Sequence, residues 1–94
     1  MDYKNEQVLK LFEVITNLKS KQDCIDFFED LCTIEEILNM SKRLEAARLL
    51  LDNINYNEII KKIGISTATL SRINKCLHYG TGGYKKMLIG LKSK

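Results

Sequence analysis

Tyr56-Asn57-Glu58-Ile59-Ile60-Lys61-Lys62-Ile63-Gly64-Ile65-Ser66-Thr67-Ala68-Thr69-Leu70-Ser71-Arg72-Ile73-Asn74-Lys75 is two apolar-periodic segments separated by a glycine. Ile59, Ile60 and Ile63 place a short helix before Gly64, and Leu70 and Ile73, continued by Leu77, place another after it. Asn55 with Glu58 at the third helical position reads as a cap for the first segment, and Ser66 or Thr67 caps the second. A tight turn between two helices needs a residue that tolerates positive φ, which glycine does without a Cβ penalty. With Gly64 as the ninth of twenty positions, Ile59, Ile63, Ile65, Leu70 and Ile73 fall on the five places that must be apolar to lock the helices together. The spacing predicts a helix-turn-helix over residues 56–75. Ile60 departs from the usual pattern, in which a small residue sits where the helices approach closely.

The residues left pointing outward on the second helix are Ser66, Thr67, Ala68, Ser71, Arg72 and Lys75, with Thr69 completing the capping run. Hydroxyls bond base edges or phosphates, an alanine methyl touches a thymine methyl, and an arginine takes guanine bidentately. Lys61, Lys62, Arg72, Lys75 and the amides of the cap suit phosphates; Thr67, Ala68 and Ser71 suit bases; Tyr56 and Asn57 add backbone contacts. The expected partner is double-stranded DNA, and the expected role is that of a sequence-specific regulator of transcription.

Working outward, Val8, Leu11, Phe12, Ile15 and Leu18 follow the i, i+3, i+4, i+7 rule and predict a helix over about residues 4–19. The polar run Lys19 to Asp23 reads as a break whose last residue caps a second helix, carrying Ile25, Phe27, Phe28 and Leu31. Thr33-Ile34-Glu35-Glu36 is a capping box, and Ile34, Ile37, Leu38, Leu44, Ala47, Leu50 and Leu51 carry a third helix over about 34–52. After the glycine-rich Tyr79-Gly80-Thr81-Gly82-Gly83, residues 84–91 predict a last short helix. The fold class is therefore all-α, with six helices, and 94 residues fit a single domain over 1–94.

The net charge of +3 is divided unevenly. Residues 1–39 carry four Lys against nine Asp/Glu, a net −5, whereas residues 40–94 carry eleven Lys/Arg against Glu45, Asp52 and Glu58, a net +8. A basic half suits a polyanion. The three cysteines, Cys24, Cys32 and Cys76, form no C-x-x-C pair, so they read as free thiols and neither a metal site nor a disulfide framework is expected. No apolar stretch approaches a membrane span and the N-terminus has no apolar signal core, so no membrane association and a cytoplasmic location are expected.

Leu31-Cys32-Thr33-Ile34-Glu35-Glu36-Ile37, Lys42-Arg43-Leu44 and Ile63-Gly64-Ile65-Ser66-Thr67-Ala68-Thr69-Leu70-Ser71-Arg72 together resemble the Trp repressor superfamily. Cys76-Leu77-His78-Tyr79-Gly80 and the Gly83-Tyr84-Lys85 region bring the likeness closest to its small Trp-repressor-related group, the YerC/YecD type. The resemblance covers about residues 25–90. It implies a six-helix subunit intertwined with a second copy as a homodimer, with the N-terminal helices (residues 4–31) forming most of the interface, and a repressor-like role. It also implies a ligand pair, because Arg43 and Arg72 match the two arginines that hold the L-tryptophan corepressor, Arg43 after a one-residue deletion in the Asp52 to Asn55 link. Two positions differ. Ile73 replaces the glycine after the second arginine, and Cys76 replaces the serine near the ligand amine. A branched side chain where the family leaves room for the indole argues against tryptophan, and no cofactor is expected.

An enzyme is not expected. His78 has no nucleophile held beside it by pattern beyond the weak Cys76-x-His78 pair, and Gly80-Thr81-Gly82-Gly83 lacks the Gly-Lys-Ser/Thr ending of a phosphate-binding loop. The alternative function is a dimeric helical interaction module, in which the N-terminal apolar stripe binds a partner protein and the basic half is a solvated face.

Overall fold

The structure, a computed structural model, describes residues 5–92. Among these there are six helices and no strand: α1 (Glu6–Thr16), α2 (Lys21–Leu31), α3 (Ile34–Leu51), α4 (Tyr56–Ile63), α5 (Thr67–Tyr79) and α6 (Gly83–Lys92). The chain gathers into two compact units, one ending at Ile37 and the other starting at Leu38.

In the first unit, α1 begins where the Asn5 side chain accepts the Gln7 and Val8 amides at 2.8 and 3.2 Å. Lys4, where the periodicity would start this helix, lies outside the described residues. The helix stops at Thr16, three residues short of the predicted end, because Thr16 Oγ1 and Asn17 Nδ2 both donate to the Glu13 carbonyl, at 2.8 and 2.9 Å. Such side chains offer the backbone a partner outside the helical ladder. Leu18 fits the apolar period yet lies beyond the helix.

The second boundary also differs. The run Lys19–Asp23 is not a break ending in a cap at Asp23: Ser20 is the cap, its hydroxyl accepting the Asp23 amide at 3.0 Å while the Asp23 carboxylate accepts the Lys19 amide at 3.3 Å. The polar residues are an exposed first turn, which sequence periodicity cannot distinguish from a loop. Neither α1 nor α2 contains a buried residue. Val8, Leu11, Ile15, Phe27 and Phe28 are half-buried, the two phenylalanine rings meeting edge-on at 5.5 Å. Leu9, Phe12, Val14, Ile25 and Leu31 are exposed.

Between α2 and α3 the capping box forms as predicted. Thr33 Oγ1 accepts the Glu36 amide at 3.1 Å, and the Thr33 amide donates to Glu36 Oε1 at 2.8 Å. This backbone hydrogen bond, aided by the Thr33 side chain, holds the Glu36 carboxyl below the usual range.

The second unit has the core: Ala46, Ala47, Leu49, Ile59, Ile65, Leu70, Ile73, Leu77 and Leu88 are buried. Of the apolar positions assigned to α3 from sequence, Ala47 alone is buried; Leu50 and Leu51 pack partly against the core, while Ile34, Leu38 and Leu44 are exposed. Ala46 and Leu49, which the apolar period did not pick out, join Ala47 on the buried face, so the helix approaches its neighbours there through two small side chains and one leucine. Asn53, at φ 62°, ends the helix in the left-handed region. Asn is one of the few non-glycine residues that enters this region readily.

Asn55 caps α4 by accepting the Glu58 amide at 2.9 Å, and Gly64 follows at φ 74° and ψ 49°. This left-handed conformation turns the chain from α4 into α5. A Cβ at Gly64 would meet nothing within 4 Å, so a side chain there is opposed only by the backbone conformation. Gly64→Ala should therefore cost about 1–2 kcal/mol in urea unfolding with little change in the folded structure; an unchanged or higher unfolding midpoint would contradict the assignment.

Candidate nucleic-acid interface

Helix α5 sorts its side chains by angle. At about 100° per residue, Leu70, Ile73 and Leu77 lie within about 60° of one another, and all three are buried. Thr67, Ala68, Ser71, Arg72 and Lys75 occupy an arc of about 140° on the opposite side, and all five are exposed. The pattern that packs the helix therefore also fixes which residues face outward. Ser66 starts the helix, its Oγ accepting the Thr69 amide at 3.1 Å and donating to Thr69 Oγ1 at 2.9 Å. Of the two cap candidates, Ser66 holds the position and Thr67 is the first helical residue.

The other site residues from the sequence are placed as follows. Lys61 and Lys62 are exposed in the last turn of α4, and Asn57 is exposed in its first turn. Tyr56 is half-buried and packs against the core. The five locking positions behave as expected: Ile59, Ile65, Leu70 and Ile73 are buried, and Ile63 packs partly against them. Ile60, the departure from pattern, is accommodated as a partly buried neighbour of the same core.

A cavity of about 570 Å³ lies beside the α5 face. Asn39, Lys42 and Arg43 line it from α3, Gly64 and Ile65 from the turn, Ser66, Thr69, Arg72, Ile73 and Cys76 from α5 and its cap, and Tyr84 from α6. The structure thus brings Arg43 and Arg72, the two arginines paired by resemblance, to one cavity, and puts Ile73 and Cys76 in its wall. Asn39, Lys42 and Tyr84 were missed in the sequence. The signal for the first two was the i, i+3, i+4 spacing of Asn39, Lys42 and Arg43, which puts them on one helix face.

The electrostatics follow from where the few acids of the basic half are engaged. Arg48 binds Glu45 in a short ion pair and Asp52 at 3.3 Å, its guanidinium pKa raised first by the hydrogen bond to Glu45. Glu58 accepts from the Asn55 side-chain amide at 3.3 Å, within the α4 cap. Each of the three acids has a partner within four residues in sequence, and Lys42, Arg43, Lys61, Lys62, Arg72 and Lys75 form no ion pair among the described residues. The basic half is positive because its eleven Lys and Arg outnumber Glu45, Asp52 and Glu58.

Among the described residues no group of three or more His, Cys, Asp or Glu side chains is placed to hold a metal, and no helix is long and apolar enough to cross a membrane.

Known proteins resemble this chain over most of its length. The family profile of the Trp repressor protein matches residues 6–92. The chain is 42% identical over 89 residues to the uncharacterized protein YerC of Bacillus subtilis (strain 168), covering 95% of this chain and 86% of that protein. Its fold matches the crystal structure of a TrpR-like protein from Eubacterium eligens with a TM-score of 0.90 at 45% identity, over 95% of this chain and 92% of the other. A Staphylococcus aureus structure described as a candidate Trp repressor matches with a TM-score of 0.88 at 33% identity, over 96% and 90% of the two chains.

The two faces of α5 make opposite demands on stability. Ile73→Ala should destabilise the protein by about 2–5 kcal/mol through the cavity it leaves, and Arg72→Ala should change stability by less than about 0.5 kcal/mol. Equal losses in chemical denaturation would show that the helix is turned differently.

Proposed function

The chain belongs to the Trp repressor family, and on that footing we propose that it is a homodimeric, sequence-specific DNA-binding regulator of transcription, repressor-like and acting in the cytoplasm, and not an enzyme. One observation carries the reading. The exposed arc of α5, with Thr67, Ala68, Ser71, Arg72 and Lys75, lies opposite a fully packed face and has no ion pair among the described residues.

In this role α5 enters the major groove. Thr67, Ala68 and Ser71 read base edges, Arg72 reaches guanine or phosphate, and Lys61, Lys62, Lys75 and the amides at the Ser66 cap seat phosphates, with Thr69 holding the cap. Asn57 and the Tyr56 hydroxyl, at the start of α4, add backbone contacts.

A second copy gives the exposed apolar side chains of α1 and α2 a surface to cover, since neither helix buries a residue within the single chain. A twofold dimer sets two reading helices about 34 Å apart, one turn of DNA, an arrangement of which the Trp repressor is itself the standard example. In this reading the chain acts as a single domain that divides its labour: the N-terminal helices α1 and α2 associate, and the helix-turn-helix reads.

The basic face makes binding a matter of counterion release, so DNA retention should fall by orders of magnitude between about 50 and 200 mM salt. Arg72→Ala should lose sequence-specific retention while sedimenting as the same folded dimer. Salt-insensitive behaviour with no DNA retained at low salt would favour the interaction module that the apolar N-terminal helices also suit, and normal specific affinity in the variant would refute the role given to Arg72.

Tryptophan is not the ligand in this reading. Ile73 and Cys76 line the cavity beside Arg43 and Arg72, so an indole would meet a branched side chain and a thiol where the resemblance puts a glycine and a serine. Calorimetric titration with L-tryptophan should give no binding heat at millimolar ligand; a saturable heat would overturn this point.

A further inference from the structure

The outward arc of α5 does not stop at Lys75. Counting about 100° per residue, His78 and Tyr79 fall inside the arc of about 140° already spanned by Thr67 to Arg72. Both are exposed, Tyr79 to 84%. Leu77 beside them is buried, so the last turn keeps the same division between packed and outward sides. The helix-turn-helix spacing ends at Lys75 and gives these two residues no role.

Distance along the helix decides what they can touch. At about 1.5 Å per residue, His78 lies about 16 Å beyond Thr67, whereas the major groove is about 12 Å wide. With Thr67, Ala68 and Ser71 on the groove floor and the arc laid along the duplex, the last turn has passed the bases and lies against the sugar-phosphate wall. There a tyrosine hydroxyl or an imidazolium N–H donates to a phosphate oxygen. The rings of His78 and Tyr79 are neighbours, their centroids 6.2 Å apart and their planes tilted by 58°, so both meet the same stretch of wall.

The charge of the imidazole is the variable in this contact. Imidazole is the side chain whose charge ordinarily changes between about pH 5 and 8, and the chain has one histidine. The titratable groups around it are the Tyr79 phenol, Lys75 one turn earlier on the same helix and, from α6, Lys85, which lines the groove beside Leu77. Helix α3 enters that groove with Leu44, which carries no charge. There is no Asp or Glu on α5, and Glu45, Asp52 and Glu58 have their partners elsewhere. A phosphate is therefore the anion that a charged His78 meets when DNA binds.

We propose that His78 and Tyr79 carry the reading face of α5 onto the phosphate wall of the groove, and that the imidazolium form of His78 makes DNA retention rise as pH falls. This docking rests on the DNA-binding reading above and commits α5 to lying along the groove instead of entering it end-on.

A phosphate contact carries no sequence information, so a mixed-sequence duplex is the probe, at about 50 mM salt. Retention by the wild-type protein should tighten about tenfold from about pH 8 to about pH 5. Its dependence on salt should steepen by about one released counterion per protomer over the same range. His78→Gln should stay at the weaker level at both pH values, and His78→Lys, which keeps a cation at every pH, should hold the tighter level at both. Tyr79→Phe, which removes only the hydroxyl, should weaken retention about threefold at either pH. Duplex retained with a flat wild-type pH profile, or the same rise with acid in His78→Gln, would overturn the role of His78 and leave the DNA-binding reading standing. Unchanged retention in Tyr79→Phe would overturn the role of Tyr79. If the wild-type protein retains no duplex at either pH, the DNA-binding reading fails and this docking with it.

Discussion

The left-handed turn at Gly64 is the constraint on which the functional half of the molecule depends. It stands between a helix capped by Asn55 and a helix capped by Ser66, and its φ of 74° is the conformation that lets Ile59, Ile65, Leu70 and Ile73 enter one core. Ala46 and Ala47, both fully buried, meet that core from α3 with the least possible side chain. Ile59 and Leu70 are completely buried, and each contributes roughly 1.5–3 kcal/mol through apolar burial. Once Leu70, Ile73 and Leu77 are fixed inward, the rotation of α5 is fixed, and the outward set of Thr67, Ala68, Ser71, Arg72 and Lys75 follows without further instruction.

The cavity follows from the same rotation. Thr69, Ile73 and Cys76 occupy the flank of α5 beside its outward arc, and Lys42 and Arg43, one helical turn below Ala46 and Ala47 on α3, line the space with them. Arg72 sits at the boundary. Glu45 and Asp52 pair locally with Arg48, and neither lines the cavity.

Much of this was legible in the sequence, and the reasons differ from element to element. The helix-turn-helix was readable because three independent signals coincide within twenty residues: apolar period, a glycine at the turn, and side-chain caps. The Thr33–Glu36 capping box was equally clear, since its chemistry is contained in four consecutive residues. The start of α2 was not, because a cap at Ser20 followed by an exposed polar turn has the composition of a loop. The end of α1 was overrun because Leu18 continues the apolar period past the point where Thr16 and Asn17 turn back on Glu13. The buried face of α3 was read only in part: its inward residues are Ala46, Ala47 and Leu49, of which the apolar period picked out Ala47, and its large apolar residues at Ile34, Leu38 and Leu44 are exposed in the single chain. The cavity could be seen only in part, since Arg43 and Arg72 are far apart in sequence and Tyr84 reaches the site from another helix.

The central claim is that a twofold pair of these reading helices recognises a defined DNA sequence. Selection of bound sequences from random duplex DNA by the purified protein tests it most directly. The account predicts enrichment of a palindromic consensus whose half-sites lie about one helical turn apart, roughly 10 base pairs between centres. A library that emerges without enrichment, or a consensus with no twofold symmetry, would contradict it.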